Sequence, residues 1–307
     1  MKEEIRKILL STGAVAVGFS EAGEIDPEVH KDFENWIGES RHGDMAYLER
    51  HLPLRKHTDS VLPGAKTVIS LAFSYVPEHL RSPSLPTVAV YAYGEDYHIV
   101  LRERLNPIIK ELKNIYGGKW RLCIDSTPLA ERYRALKSGI GIRGSNGSVI
   151  VKGCGGLCFL AEILTTIPLI PDAPSHQHCE KCGLCIASCP GNAITGDGKI
   201  DARRCINYLT IEKKGEFTEE EKKLVAHGSG HLFGCDNCLR VCPHNSIGNH
   251  TPGAHFPSIE ETFNLSSERI LDMQEGDFKK IFSRSALSYA GYSRLKRNAQ
   301  TIKETRK

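Results

Sequence analysis

The feature that most limits what this chain can fold into is a dense run of cysteines between residues 179 and 242. The first half of the run is Cys179-x2-Cys182-x2-Cys185-x3-Cys189-Pro190. Thiolates are soft ligands for iron, and this spacing lets three of them converge from one tight turn on a [4Fe–4S] cube. The fourth thiolate of such a run binds a second cube. The run therefore predicts a pair of iron–sulfur clusters.

The second half of the run completes the ligand count. It repeats the end of the first pattern without the initial cysteine: Cys235-x2-Cys238-x3-Cys242-Pro243. The nearest upstream substitute is Cys205, which brings the count to the eight ligands that two cubes need. With the fourth ligands crossed, as in two-cluster ferredoxins, one cube takes Cys179, Cys182, Cys185 and Cys242, and the other takes Cys189, Cys205, Cys235 and Cys238.

Zinc is the alternative occupant of such a region. A structural zinc site favours two separated cysteine pairs around one tetrahedron, and two runs that each end in Cys-Pro fit that pattern poorly. Three of the eleven cysteines remain outside the count. We interpret these three as small buried hydrophobic residues on or beside strands: Cys123, Cys154 and Cys158.

The composition excludes a disulfide scaffold and a membrane protein. The cysteine count is odd, and 307 residues are enough for about two domains with a sizeable core. No stretch approaches 18 uncharged apolar residues, and Glu3 and Glu4 stand where a secretory signal would be basic. We expect a cytoplasmic protein with no membrane partner. The net charge of +3 leaves any contact with nucleic acid to local patches.

The rest of the chain divides into three expected segments. In residues 1–170, short β-branched runs alternate with amphipathic stretches, which predicts an α/β domain. Residues 171–250 are expected to form the ferredoxin-like cluster domain, and residues 251–307 a short helical tail rich in basic residues. The expected strands are 15–19, 67–73, 88–92, 120–124, 148–151 and 157–161. The expected helices include 2–10, 98–112 and 129–137.

Asp125 is the candidate catalytic residue of the first segment. It ends the expected strand 120–124 and precedes Ser126-Thr127-Pro128, a typical helix start. Carboxylates at this end of a strand in α/β domains lie where ligands bind. A carboxylate that only caps a helix or forms a turn suits the same position, and spacing alone leaves both interpretations open.

Two other motifs in this segment do not carry a site. Residues 139–144 read GIGIRG, but they follow a helix and precede a strand, the reverse of the order that a dinucleotide-binding turn needs. Asp96-Tyr97-His98 begins the pattern of proteins that bind the cobalt of cobalamin through His. Leu101 stands where that pattern has Gly, so we do not expect His98 to bind cobalt.

Several longer segments resemble the epoxyqueuosine reductase family, and together they span most of the chain. Their combination is far more specific than any one of them. The segments are 62–65 (LPGA), 93–98 (YGEDYH), 124–132 (IDSTPLAER), 204–212 (RCINYLTIE) and 233–243 (FGCDNCLRVCP).

The resemblance implies an enzyme that reduces epoxyqueuosine to queuosine at the wobble position of tRNA anticodons. It implies two [4Fe–4S] clusters, cobalamin without a His ligand on cobalt, and a cobalamin domain like that of reductive dehalogenases. The proton donor of the family matches Asp125. Residues of the cobalamin and substrate pocket match Arg55, Asp125, Arg132, Asn207 and Asp236. A monomer fed by an external one-electron donor is the expected state.

The chain departs from the family in two places. Where members usually read GWIGKN, residues 141–146 read GIRGSN, so a lysine contact is lost or shifted to Arg143. Longer members continue into a helical-repeat extension where this chain stops. Its contact with tRNA phosphates is therefore expected to be smaller and to use basic residues of the tail and of one loop: Lys213, Lys214, Arg294, Lys296 and Arg297.

Two alternatives use the same parts. A reductive dehalogenase-like enzyme would act on a small molecule with the same cofactors, but such enzymes usually carry export signals. A ferredoxin-type electron carrier fused to an inert domain would bind iron and no cobalt, and it would give the Asp125 segment no purpose. Metal content and a turnover assay distinguish all three.

Overall fold

A computed structural model of the chain describes residues 1–77, 79–152, 154–245 and 256–305. The expected boundary between residues 250 and 251 lies outside these ranges. The strands are β1 (Ala16–Glu21), β2 (Thr67–Ser74), β3 (Thr87–Val88), β4 (Trp120–Cys123), β5 (Gly141–Arg143), β6 (Val149–Val151), β7 (Cys158–Thr165) and β8 (His231–Phe233).

Thirteen α-helices lie within the described ranges. They are α1 (Lys2–Leu10), α2 (Pro27–Gly38), α3 (Tyr47–Arg55), α4 (Tyr97–Tyr116), α5 (Glu131–Lys137), α6 (Leu184–Ala187), α7 (Ile206–Ile211), α8 (Glu219–Val225), α9 (Asn237–Arg240), α10 (Glu260–Phe263), α11 (Ser267–Asp272), α12 (Glu275–Ile281) and α13 (Leu287–Thr305). None of these helices is both long and apolar enough to span a bilayer.

The first segment is built on a four-stranded sheet in the order β1-β2-β7-β4. Every neighbouring pair is antiparallel, and β2 pairs with β7 over eight residues, from Thr67 opposite Thr165 to Ser74 opposite Cys158. All eight residues of β2 are buried, because helices cover one face of the sheet and α5 with its preceding loop covers the other. The rule that ligands bind at the carboxyl ends of parallel strands therefore does not apply to Asp125.

The two faces of the sheet have different chemistry. One face is apolar: Ile69, Leu71 and Phe73 pack against α1 and α4. Those residues alternate with Val68, Ser70 and Ala72, which point to the face under α5. That second face carries a buried acid, since Ser70 is the register partner of Glu162. A polar strip thus runs beneath α5, next to the loop that holds Asp125.

The second half of the chain folds around its own core and joins the first half directly. β3 pairs with β8 across the expected boundary at residue 170. Val88, Phe233 and Leu295 belong to one apolar cluster, which also includes residues of α7, α11 and α12. Residues 256–305 therefore pack as four helices against the cluster-binding region.

Several elements differ from the sequence expectation. The strand expected at 157–161 is Cys158–Thr165, and the helix expected at 98–112 is Tyr97–Tyr116. Residues 88–92 form the end of the short strand β3 and a 3-10 helix (Val90–Ala92), because the carboxylate of Asp236 accepts the backbone N–H of Val90. The helix expected from residue 129 begins at Glu131, and Ala130 precedes it without a side-chain cap. At residues 88–92 a contact from a distant segment therefore replaces the local preference.

Asn298 joins α13 to the neighbouring elements through buried hydrogen bonds. It is fully buried, and its Nδ2 donates to the carbonyls of Thr210 and Leu232, both at 2.9 Å. We expect Asn298→Ala to destabilise the fold by about 2–3 kcal/mol, because two buried carbonyls lose their donor. Thermal unfolding under anaerobic conditions measures the loss. Gln300→Ala is the matched control, since Gln300 is exposed and bonds only Glu304 within the same helix. Equal midpoints for the two variants would contradict the assignment.

Candidate active site and cluster sites

Four cysteines of the run border one cavity near the surface: Cys179, Cys182, Cys185 and Cys242. Burial and the charges of Cys179 and Cys182 raise the pKa of both Cys185 and Cys242. Cys182 is exposed. Within the described ranges no three His, Cys, Asp or Glu side chains are close enough to hold a single metal ion. The four thiols surround a cavity and do not meet at a point.

The other four cysteines lie deeper: Cys189, Cys205, Cys235 and Cys238. Burial raises the pKa of Cys235 to about 12, and the charges of Cys205 and Cys189 act in the same direction. Burial and the same neighbours also raise the pKa of Cys238. The structure thus brings together the same two sets of four that the crossed ligand assignment names. We call them the outer group and the inner group.

Left-handed turns let the outer group converge. Lys181 has φ 52° and Gly183, which precedes α6, has φ 78°. These conformations fold the chain back within five residues, so that cysteines three apart face one cavity. At the start of the next turn, the backbone N–H of Ala193 donates to the Sγ of Cys189 at 3.3 Å. The local chain conformation is therefore suited to holding thiolates.

Asp125 lies two residues after the end of β4 and has the left-handed conformation, with φ 50°. Its backbone N–H donates to Oε1 of Glu131 at 2.6 Å. Its carboxylate Oδ2 lies 3.5 Å from Nε2 of His98, and the side chain is 64% exposed. Asp125 therefore does not cap α5. Its carboxylate is exposed to solvent, whereas its backbone is held by the side chain of Glu131.

His98 links Asp125 to a second carboxylate. Its Nδ1 lies 2.7 Å from Oδ1 of Asp96, which also caps α4 by accepting the backbone N–H of His98. Burial opposes a charge on the imidazole, but hydrogen bonds to Asp125 and Asp96 outweigh it and raise the pKa of His98 to about 9. His98 is therefore cationic at neutral pH, between two carboxylates.

A second pair of acids lies beneath the Asp125 loop. Burial and the nearby charge of Asp125 raise the pKa of Glu131 to about 7. Glu162 is fully buried on β7, and burial with its contact to Glu131 raises its pKa well above the usual value. Arg55 lies close to Glu131 and Asp125, stacks over the ring of Phe33, and has an Nε with no hydrogen-bond partner among the described residues.

An aromatic layer lies between the surroundings of Asp125 and the inner cysteine group. The ring of Tyr97 stacks on His98 and on Phe159, with both centroid distances 4.1 Å. Tyr75 and Tyr91 pack against Phe159 in turn. Burial and the charge of Asp236 raise the pKa of Tyr75 and of Tyr91, and the charges of Cys238 and Asp125 reach Tyr75 and Tyr91 respectively. The two sites are therefore separated by a few aromatic side chains.

The remaining pocket residues expected from the sequence are spread over three elements. Arg132 is exposed and donates to the carbonyl of Gly147 at 3.1 Å. Asn207 is exposed on α7, with its amide oxygen beside Gly234. Asp236 is buried, and burial raises its pKa to about 6. Its carboxylate holds the backbone of Val90, so it braces the junction between the two halves of the chain.

The five residues expected to contact tRNA have different surroundings. Arg297 stacks on Phe217 and donates to the carbonyls of Leu209, Lys213 and Gly215. Arg294 donates to the carbonyl of Ile211, and Lys213 pairs with Glu221 at 3.1 Å. Lys214 and Lys296 are exposed. Both arginines of this set therefore donate hydrogen bonds to main-chain carbonyls.

Sequence reasoning missed the acid pair and the role of His98. Glu162 had a visible signal, because it is an acid inside the otherwise apolar run CFLAEILT of β7. His98 was weighed only as a cobalt ligand. Its contact with Asp125 joins residues 27 positions apart, which no local pattern reveals.

Comparison with known proteins identifies the two halves. Residues 55–126 match a family described as "Epoxyqueuosine reductase QueG, DUF1730", and residues 178–245 match a 4Fe-4S double cluster binding domain. The epoxyqueuosine reductase of Cyclobacterium marinum is 36% identical over 97% of this chain and 96% of its own length.

Solved structures agree with the sequence comparison. A crystal structure of epoxyqueuosine reductase with an epoxyqueuosine-modified tRNA-Tyr stem loop has a TM-score of 0.84, 26% identity, and coverage of 98% of this chain and 80% of that one. The Bacillus subtilis enzyme, described with its catalytic Asp loop swung out of the active site, has a TM-score of 0.84 at 27% identity, with the same coverage. The chain belongs to the epoxyqueuosine reductase family.

Proposed function

We propose that this protein reduces the epoxyqueuosine of tRNA anticodons to queuosine. The observation that carries the proposal is the 36% identity to an epoxyqueuosine reductase over nearly the full length of both chains. That alignment includes the Asp125 segment and the cysteine run. The solved relative that holds a modified tRNA stem loop supports tRNA as the substrate. A small-molecule dehalogenase and a simple electron carrier have no comparable support.

The outer and inner groups are proposed to hold one [4Fe–4S] cluster each, consistent with the double-cluster domain matched at 178–245. The groups fit because each offers four thiols in proximity, and the outer four surround a cavity. Exposure of Cys182 suits the outer group to accept electrons from an external one-electron donor. The aromatic layer makes the inner group the one that faces the catalytic crevice.

We further propose that the crevice beside Asp125 holds cobalamin. Arg55, Arg132 and Asn207 would contact it, and the buried, unpartnered Nε of Arg55 is the feature of the structure that fits a bound polar group. When bound, reduced cobalamin supplies a strong nucleophile or one-electron reductant, which needs a site shielded from water. His98 is engaged by two carboxylates, consistent with cobalt that takes no His ligand.

Proton supply is the task of this chain's own residues. Removing an epoxide oxygen as water, with formation of a carbon–carbon double bond, consumes two electrons and two protons. A single carboxyl group at the crevice can give one proton and must then be refilled. We propose that Asp125 donates to the oxygen and that cationic His98, at 3.5 Å, returns a proton to it.

The base must reach this crevice from an unstacked anticodon. Tyr289 offers a stacking surface, because its ring is 60% exposed while its hydroxyl donates to the carboxylate of Glu212. The charges of Tyr289 and Asp125 influence each other, so the ring lies near the catalytic residue. By analogy with the Bacillus subtilis relative, the loop 124–130 would move during the cycle.

Anaerobic protein supplied with cobalamin tests the function. We expect roughly eight irons and one cobalt per chain, with queuosine formed from epoxyqueuosine-containing tRNA and reductant. Asp125→Asn should keep both metals and lose most turnover, on the order of 100-fold or more, since the amide cannot donate as an acid. Iron without cobalt would favour an electron carrier, and unchanged turnover would remove Asp125 from the mechanism.

The raised pKa of His98 predicts that the free energy of unfolding depends on pH. Because the folded-state pKa is raised from about 6.5 to about 9, the imidazolium stabilises the fold fully below pH 6.5, and this stabilisation is lost as the pH rises through 9. His98→Ala should therefore cost about 1–3 kcal/mol more at pH 6 than at pH 10. Thermal midpoints of both proteins at both pH values measure the difference. His227→Ala, at an exposed position, is the control.

Binding of tRNA should depend on salt through the exposed lysines. We expect Lys214→Ala to reduce the slope of log affinity against log salt by about one, because one phosphate contact is removed. Titration of labelled anticodon stem loop at several salt concentrations gives the slope. Lys7→Ala, exposed on α1, should leave it unchanged. A flat salt response of the unaltered protein would exclude the phosphate contribution altogether.

A further inference from the structure

Two carboxyl groups without a cation between them lie beneath the catalytic loop. Glu162 is fully buried, and neither of its oxygens has a hydrogen-bond donor from any N–H or hydroxyl group among the described residues. Its hydrogen-bond neighbour is the carboxyl of Glu131. Two carboxyl groups in such contact require a proton between them, because two buried carboxylates repel strongly.

The position of Glu162 in the sheet explains why it cannot relax. It lies in the middle of β7, with Ser70 of β2 and Cys123 of β4 as its register partners. The hydroxyl of Ser70 has no hydrogen-bond partner among the described residues, and burial raises the pKa of the Cys123 thiol to about 12, so neither neighbour supplies a charge. The acid is held in place by the pairing of three strands.

Glu131 connects this acid to the catalytic residue. Its Oε1 accepts the backbone N–H of Asp125 at 2.6 Å, and Asp125 has φ 50°. A non-glycine residue in that region is strained and persists only where its surroundings fix it. The hydrogen bond to Glu131 and the contact with His98 are the two interactions that fix it. Losing the first would favour an ordinary backbone conformation and displace the carboxylate.

We propose that Glu131 and Glu162 share one proton and together form a latch that holds the Asp125 loop in its catalytic position. Glu131 is then a positioning residue, acting through the backbone of Asp125. The inference rests on the proposed function for its role in turnover, but the latch itself is a property of the fold. When the shared proton is lost, repulsion separates the two carboxylates and Glu131 releases the loop.

The charges around Glu131 and Glu162 set the pH at which the shared proton is lost. Arg55 and Arg132 favour the ionised form of Glu131, and Arg134 favours that of Glu162, while Asp125 opposes both. Burial is the largest influence on each acid and favours the protonated form. With the pKa of Glu131 near 7, release is expected between about pH 6 and 8. His98, which titrates near 9, stays cationic throughout this interval.

Hydrogen exchange of the peptide containing residues 124–130 tests the latch independently of turnover. In the unaltered holoprotein, protection corrected for intrinsic rates should fall about tenfold between pH 6 and pH 8. Glu131→Gln and Glu162→Gln should abolish this pH dependence, because an amide donates to the partner carboxylate without a titrating proton. Glu131→Ala should give fast exchange at both pH values. Glu268→Gln, at an exposed position of α11, should behave like the unaltered protein.

Three outcomes overturn the latch: a pH-independent rate in the unaltered protein, a pH dependence that survives in Glu131→Gln, or full protection in Glu131→Ala. If Glu131→Ala does not fold, the two Gln variants still decide the question. Turnover at pH 6 and 8 provides the second readout. Turnover of the unaltered protein should fall between pH 6 and pH 8, and Glu131→Gln should remove that fall. Absence of turnover together with the expected exchange pattern would overturn the proposed function and leave the latch standing.

Discussion

The pairing of β7 with both β2 and β4 is the constraint on which the catalytic half of the molecule depends. It makes β2 and β7 the central strands of the sheet and sets the register that places Glu162 opposite Cys123, which lies two residues before Asp125. Phe159, three residues earlier on the same strand, points to the opposite face and anchors the aromatic layer. A shift of one residue would exchange the two faces and expose the acid to the apolar core.

In the proposed reaction, electrons and protons would reach Asp125 from different sides. The inner cysteine group lies behind the rings of Tyr75 and Tyr91, whereas the proton-carrying groups lie on α4, on α5 and in the Asp125 loop. The side chains of Tyr97, Phe159 and Tyr75 lie between the inner cysteine group and the acids around Asp125. The arrangement suits a reduction in which single electrons and protons must meet at one oxygen.

Several features could be read from the sequence because they depend on local spacing. The eight cysteines, the helix 2–10 and the position of Asp125 at the end of a strand follow from residues close together in the chain. Strand 88–92 and the start of α5 could not be read in this way. The backbone of Val90 is held by Asp236, so local preference lost there to a contact between residues 146 positions apart. α5 begins at Glu131, whose side chain accepts the backbone N–H of Asp125. The sequence also could not show that Arg297 of the basic tail donates hydrogen bonds to three main-chain carbonyls.

By itself, the sequence determined the chemistry that this chain can perform: thiolate spacing selects iron–sulfur clusters, and the segments around Asp125 select the family. Only the tertiary structure decided which acids act together. Asp125, His98 and Glu162 are far apart in the chain and become neighbours because an antiparallel sheet and two helices bring them together. Burial then changes their proton affinities, and burial is a property of the packed fold that residue spacing does not encode.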